Sequence, residues 1–293
     1  MKKRLVAATV PVVLAAALTG GAQAHAASAD PVKSLRKQFA EGRGVLVSET
    51  SRVKVPKPED ALVTATRTTG RIGFGNSGAV SHDLRTRYKF DREQVSEEVK
   101  NELEQLRQEV KVGRYTYVRG FDWGPMPAGK TWIRFGKSAS WGLDGQRGSQ
   151  VVDVLDPAIL RTLVAKATVR KPGEYRGVLT ANDLSKEKVG FPGFAKVSFR
   201  LFVNRDQLPV RLITEYAYKY RGVDQDGKKV EETFHPVTDT RYTGWGTKVK
   251  IVPPPAAEVV DFGDLEGPFA DGFGDSPIIP PGLAGQRMLR PKL

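Results

Sequence analysis

The sequence predicts an α+β protein, a long antiparallel sheet with short helices laid against it, and three observations carry that prediction. Between Val197 and Tyr220 the apolar residues recur at every second position: Val197, Phe199, Leu201 and Val203, then, after Arg205-Asp206-Gln207, Val210, Leu212, Thr214, Tyr216, Tyr218 and Tyr220. Period two is the strand period, and two such runs joined by a polar turn make an antiparallel hairpin with one buried and one wet face. Asp30-Pro31 and Asp156-Pro157 each set a capping carboxylate before a proline, the signature of a helix start. No cysteine occurs in the 293 residues. Disulfides and thiolate metal sites are thereby excluded, and the sheet has to be held by burial and hydrogen bonding alone.

Taken in order, residues 1–29 read as a signal peptide. Lys2, Lys3 and Arg4 precede an apolar run from Leu5 to Leu18, and small residues follow, with Ala22-Gln23-Ala24, Ala24-His25-Ala26 and Ala27-Ser28-Ala29 as alternative cleavage signals between Ala24 and Asp30. The run is shorter than the roughly 20 residues that span a bilayer and contains Pro11. The expectation is a secreted, extracytoplasmic protein that is not lipid-anchored, since no cysteine is present to carry the lipid.

The first mature helix opens at Asp30-Pro31, with Val32, Leu35 and Phe39 on one face and Gly42 closing it. Strands are expected at Gly44–Val55, Leu62–Thr69 and Arg71–Phe74, the last two separated by Gly70, with a turn at Gly75-Asn76-Ser77-Gly78. From Gln94 to Val110 the period lengthens: Val95, Val99, Leu103, Leu106 and Val110 predict an amphipathic helix capped at Asp91. Strand character returns at Val112–Arg119 and Thr131–Phe135. The helix begun at Asp156-Pro157 carries Leu160, Leu163, Val164 and Ala167 on one side and ends before Pro172-Gly173. After the Val197–Tyr220 hairpin come a turn at Asp226-Gly227 and strands at Thr238–Thr243 and Lys248–Val252, the last stopped by Pro253-Pro254-Pro255. The predicted domain covers residues 30–263, and 264–293 read as a Gly/Pro-rich disordered tail.

Little in the sequence points to catalysis. His82 beside Asp83, and His235 with Asp239 nearby, are the histidines of the folded part, and no nucleophile-elbow or Ser-x-x-Lys motif accompanies them. Asp122, Asp144, Asp153 and Glu174 are candidates for a carboxylate pair. The glycine-rich Gly142–Gly148 stretch lacks the lysine and the strand-to-helix context of a phosphate loop. Tyrosines 115, 117, 216, 218 and 220 follow strand alternation, which assigns them to packing rather than to stacking on nucleic acid. The net charge of +13 falls to +10 once the three leader cations are removed. A surplus of that size favours anionic wall polymer or membrane surfaces.

The layout also resembles a known group. The leader, the capped first helix, the long antiparallel sheet and the Asp156-Pro157 helix are joined by Leu208-Pro209-Val210 in the hairpin. The last strand runs from Arg241-Tyr242-Thr243-Gly244-Trp245-Gly246 into Pro253-Pro254-Pro255-Ala256-Ala257-Glu258-Val259-Val260-Asp261. In these features the chain resembles the LolA/LppX/LprG-like bacterial envelope proteins. The resemblance implies a curved antiparallel half-barrel with covering helices around an apolar cavity that holds acyl chains, with no catalytic residues, no cofactor and no metal. Mapped here, the implied lining is Val197, Phe199, Leu201, Val203, Val210, Leu212 and Tyr216 with Leu160, Leu163 and Val164. The same alternation also fits a solid core. The function expected is a secreted, non-enzymatic binding protein for a lipid or other apolar ligand, the alternatives being a basic wall-associated structural protein or an extracellular hydrolase.

Overall fold

A computed structural model describes residues 30–54, 63–93, 95–121, 125–136, 147–184, 196–223 and 229–265. The leader, the Asp226-Gly227 turn, Asp122, Asp144 and residues 266–293 of the expected tail lie outside the described residues.

Alternating side chains lay down β1 (Arg43–Lys54), β2 (Val63–Phe74) and β3 (Ala79–Phe90) as an antiparallel meander. Gly70 does not break β2, contrary to the sequence expectation. It pairs with both Val47 and Leu84, and a Cβ there would collide with the Asp83 carbonyl, so the glycine serves close approach of neighbouring strands. Then come α2 (Glu97–Glu104), β4 (Arg107–Val112), β5 (Tyr115–Arg119) and β6 (Trp132–Phe135). The expected Gln94–Val110 helix is thus cut to eight residues. Its cap is Ser96, whose hydroxyl accepts from the Val99 N–H, and Gln105 is already extended. Arg107 to Val112 alternate and are claimed by ladders to β3 and β5, a tertiary demand that outweighs the helical period ending at Val110. The expected strand Val112–Arg119 is likewise split by a tight turn at Gly113, which adopts φ +58°.

The chain next crosses one face of the sheet through residues 147–155 and α3 (Pro157–Lys166), capped as expected by Asp156. It reaches the far edge at β7 (Ala167–Lys171) and returns through β8 (Glu174–Thr180) and α4 (Ala181–Leu184). Pro172-Gly173 is therefore a hairpin turn. β9 (Lys196–Val203) and β10 (Pro209–Tyr216) form the expected hairpin, and β11 (Tyr218–Val223) continues it after a break at Ala217. β12 (Lys229–Lys248) is one strand of 20 residues where the sequence suggested separate pieces. Residues 249–255 are not a strand, against expectation. They run as a strap to β13 (Val259–Asp261), which pairs in parallel with β6. The strap crosses where two glycines face it: a Cβ on Gly44 or Gly73 would meet Val249.

The spatial order is β13-β6-β5-β4-β3-β2-β1-β12-β10-β9-β8-β7, with β11 on β12, an open sheet with two ends. One face carries the main core, roofed by α1 (Pro31–Arg36), α3, α4 and residues 151–155; Leu35, Leu155, Leu160, Leu163, Leu179, Leu201 and Leu212 are fully enclosed. Burying each such leucine is worth about 1.5–3 kcal/mol.

Candidate functional site

The structure gathers the implied lining into one place. Val197, Phe199, Leu201 and Val203 of β9, Leu212 and Tyr216 of β10, and Leu160 and Leu163 of α3 belong to a single apolar cluster, with Val164 packed against it half-buried. Val210 stands apart. It is half-buried at the bulge where the β9–β10 register shifts between Pro209 and Arg211.

Beside this cluster the covered face turns polar. On β1 the inward positions are Val45, Val47, Glu49, Ser51 and Val53, so strand alternation itself delivers a carboxylate and a hydroxyl into the interior. The register sets Glu49 between Thr240 and Thr68, and Ser51 between Thr238 and Thr66. These residues and Thr214 are all buried. Residues 147–150 close over them. Glu49 accepts from the Ser149 N–H at 2.6 Å and from the Thr240 hydroxyl at 2.9 Å. The Gln150 amide donates to Thr240 at 3.1 Å and its carbonyl accepts from Thr214 at 2.8 Å. Gly148 makes the closure feasible, since its φ is +68° and a Cβ would stand 2.7 Å from the Glu49 carboxylate.

Burial pushes the Glu49 carboxyl up to about 7, against the opposing pull of the hydrogen bonds from Ser149 and Thr240. Burial likewise raises the Tyr242 hydroxyl. Arg147 and Asp153 form an ion pair beside them. Between these groups and Ile72, Leu84, Val152 and Leu155 lies a cavity of about 20 Å³, room for about one water. Further along the face, Thr68 meets Thr86 at 2.8 Å, and the Arg107 guanidinium lies over Tyr88 at 4.4 Å and Phe121 at 4.8 Å. Arg107 Nε and Thr66 Oγ1 are buried there without a hydrogen-bond partner.

The expected acid–base candidates do not come together. His82 is buried and bonded to Glu109 at 2.6 Å, whereas Asp83 points to the opposite face, to Arg71 and Gln108. His235 is exposed, and Asp239 holds Arg211. Asp153 and Glu174 are each engaged by arginine. The polar band around Glu49 escaped sequence reasoning, although the parity of β1 carried the signal: Glu49 shares it with Val45 and Val47.

No family model matches the chain, and no curated protein matches it in sequence. Among solved structures, the crystal structure of a LolA superfamily protein from Nitrosomonas europaea is similar at 13% identity, covering 76% of this chain and 93% of that chain with a TM-score of 0.29. The class of this protein is defined by its own strand order: α+β, with a large, open, mostly antiparallel sheet roofed on one face by short helices.

Proposed function

We propose that this is an exported, extracytoplasmic binding protein that takes up a lipid or another apolar ligand between the sheet and its roof. The observation that carries the reading is the roof's attachment. Across a broad apolar face, α1, α3 and residues 147–155 are held by side-chain packing and by hydrogen bonds from single side chains, at Glu49, Thr240, Thr238 and Thr214 to residues 149–150 and from Arg170 to the Val164 and Ala165 carbonyls, with no strand ladder to the sheet among the described residues. Such a roof lifts without breaking the sheet. The polar band next to the apolar cluster supplies partners for a headgroup, including the unsatisfied Arg107 Nε and Thr66 Oγ1. A cavity that holds about one water means that uptake requires the roof to move.

Native mass spectrometry of the secreted protein, purified without detergent and repeated after organic extraction, tests both parts. The expected result is an N-terminus between Ala24 and Asp30 and a mass excess that extraction removes. A polypeptide mass alone, together with no uptake of a fluorescent fatty-acyl probe, refutes ligand binding and leaves the cluster as a solid core.

A further inference from the structure

The opposite, outer face of the sheet has a character of its own. Register places Arg241, Ser48, Thr69 and Arg85 side by side across β12, β1, β2 and β3. In the next row Thr50 is followed by Arg67 and Arg87, directly opposed. All four arginines are exposed. The carboxylates on this face are already taken: Asp83 by Arg71, and Asp239 by Arg211. The side chains of Arg67, Arg85, Arg87 and Arg241 have no ion pair or hydrogen bond among the described residues. Like charges directly opposite one another on adjacent strands are destabilising, with Cβ atoms only about 5 Å apart. An array of anionic oxygens laid on the face relieves that repulsion, and the guanidinium fork matches phosphate.

We propose that the outer face of β12, β1, β2 and β3 docks on the anionic phospholipid headgroups of a bilayer, with Arg67, Arg85, Arg87 and Arg241 contacting phosphate. Two features favour a bilayer over a single polymer strand. The charges spread in two dimensions over four strands of a sheet face that the strap crosses at the Gly44–Gly73 row, leaving the arginines in the rows of Ser48 and Thr50 exposed. In the adjoining row Leu46, 44% exposed and cross-strand from Arg71, offers an apolar contact at the headgroup boundary. The proposal stands independently of ligand uptake, because it uses the other face of the sheet.

Cosedimentation with vesicles tests it, using the chain from Asp30 onward, which holds every described strand and helix. Binding is expected to vesicles of phosphatidylglycerol and phosphatidylcholine at about 3:7, and not to pure phosphatidylcholine. Loss of one arginine near such a surface weakens partitioning roughly fivefold, so Arg67→Gln/Arg87→Gln is expected to bind about thirty-fold more weakly. Lys33→Gln/Lys37→Gln, which removes equal charge from the roof side, is expected to change it less than threefold. An unchanged melting temperature in the arginine variant shows that folding is intact. Equal weakening by both pairs, or full binding by the arginine variant, overturns the proposal. So does retention on polyglycerol phosphate, sensitive to Arg67 and Arg87, with no binding to vesicles, which would assign the face to wall polymer.

Discussion

Glu49→Gln tests the buried band most directly. Burial moves the Glu49 carboxyl from its ordinary 4.5 to about 7 in the folded protein. Between those values the folded state keeps a proton that the unfolded chain has released. Stability therefore falls as pH rises through the window, by up to about 1.4 kcal/mol per unit and about 3 kcal/mol in all, and the loss is complete above about pH 7. Glutamine retains a carbonyl for the Ser149 N–H but never ionises. Its amide must face Thr240, whose oxygen already accepts from Gln150, and re-aiming that contact costs about 1 kcal/mol. Wild type has already lost about 1 kcal/mol at pH 5 and about 3 kcal/mol at pH 8, so the variant is expected to match it within about half a kcal/mol at pH 5 and to be more stable by about 2 kcal/mol at pH 8. Urea unfolding followed by tryptophan fluorescence at pH 5, 6, 7 and 8, with unchanged m-values, reads this out. Glu174, Asp183 and Asp261 are all held below their ordinary values, so their contributions are lost on acidification below the window and do not mimic the effect. Parallel wild-type and variant curves from pH 5 to 8 would refute the reasoning.

Other perturbations follow from the same geometry. Gly148→Ala forces a Cβ to within 2.7 Å of the Glu49 carboxylate at a left-handed φ and is expected to cost about 1–3 kcal/mol in urea unfolding. Leu163→Ala removes a fully buried side chain of the roof and should cost about 2–5 kcal/mol by the same measurement. Asp156→Ala deletes the α3 cap and should cost about 1 kcal/mol. Gly44→Ala sets a methyl group against Val249 and the Ile72 carbonyl; faster tryptic cleavage at Lys248 and Lys250 is the expected sign of a loosened strap.

Where local chemistry and tertiary demand agreed, the sequence was legible. Asp30-Pro31 and Asp156-Pro157 start helices because their caps act within two residues, at Val32 and Ala158. The Val197–Tyr216 hairpin was legible because one of its faces is apolar throughout. β7 and β8 were not, since an edge hairpin with charged residues on its wet positions carries no alternation. Val151, Val152, Val154 and Leu155 were missed for a different reason: an irregular segment that fills a core has no period to detect. β4 was misread because Leu103, Leu106 and Val110 continue a helical spacing across a real boundary at Gln105. The inward placement of Glu49 was written in the parity of β1, but its partners Thr240 and Thr68 needed strand register, which no single strand contains.

The order in which the chain builds the sheet has a consequence for folding. β1 to β6 spread outward on one side; β7 to β10 are laid from the far edge inward; β12 then closes the middle against β1. The Glu49–Thr240 hydrogen bond across that junction joins residues 191 positions apart. Contacts so distant in sequence form slowly, and until they do β1 and β10 both present open edges. Nascent chain that lacks residues 229–248 cannot complete the sheet. A chain made from its N-terminus would thus keep the edges of β1 and β10 unpaired until its last long strand had been added.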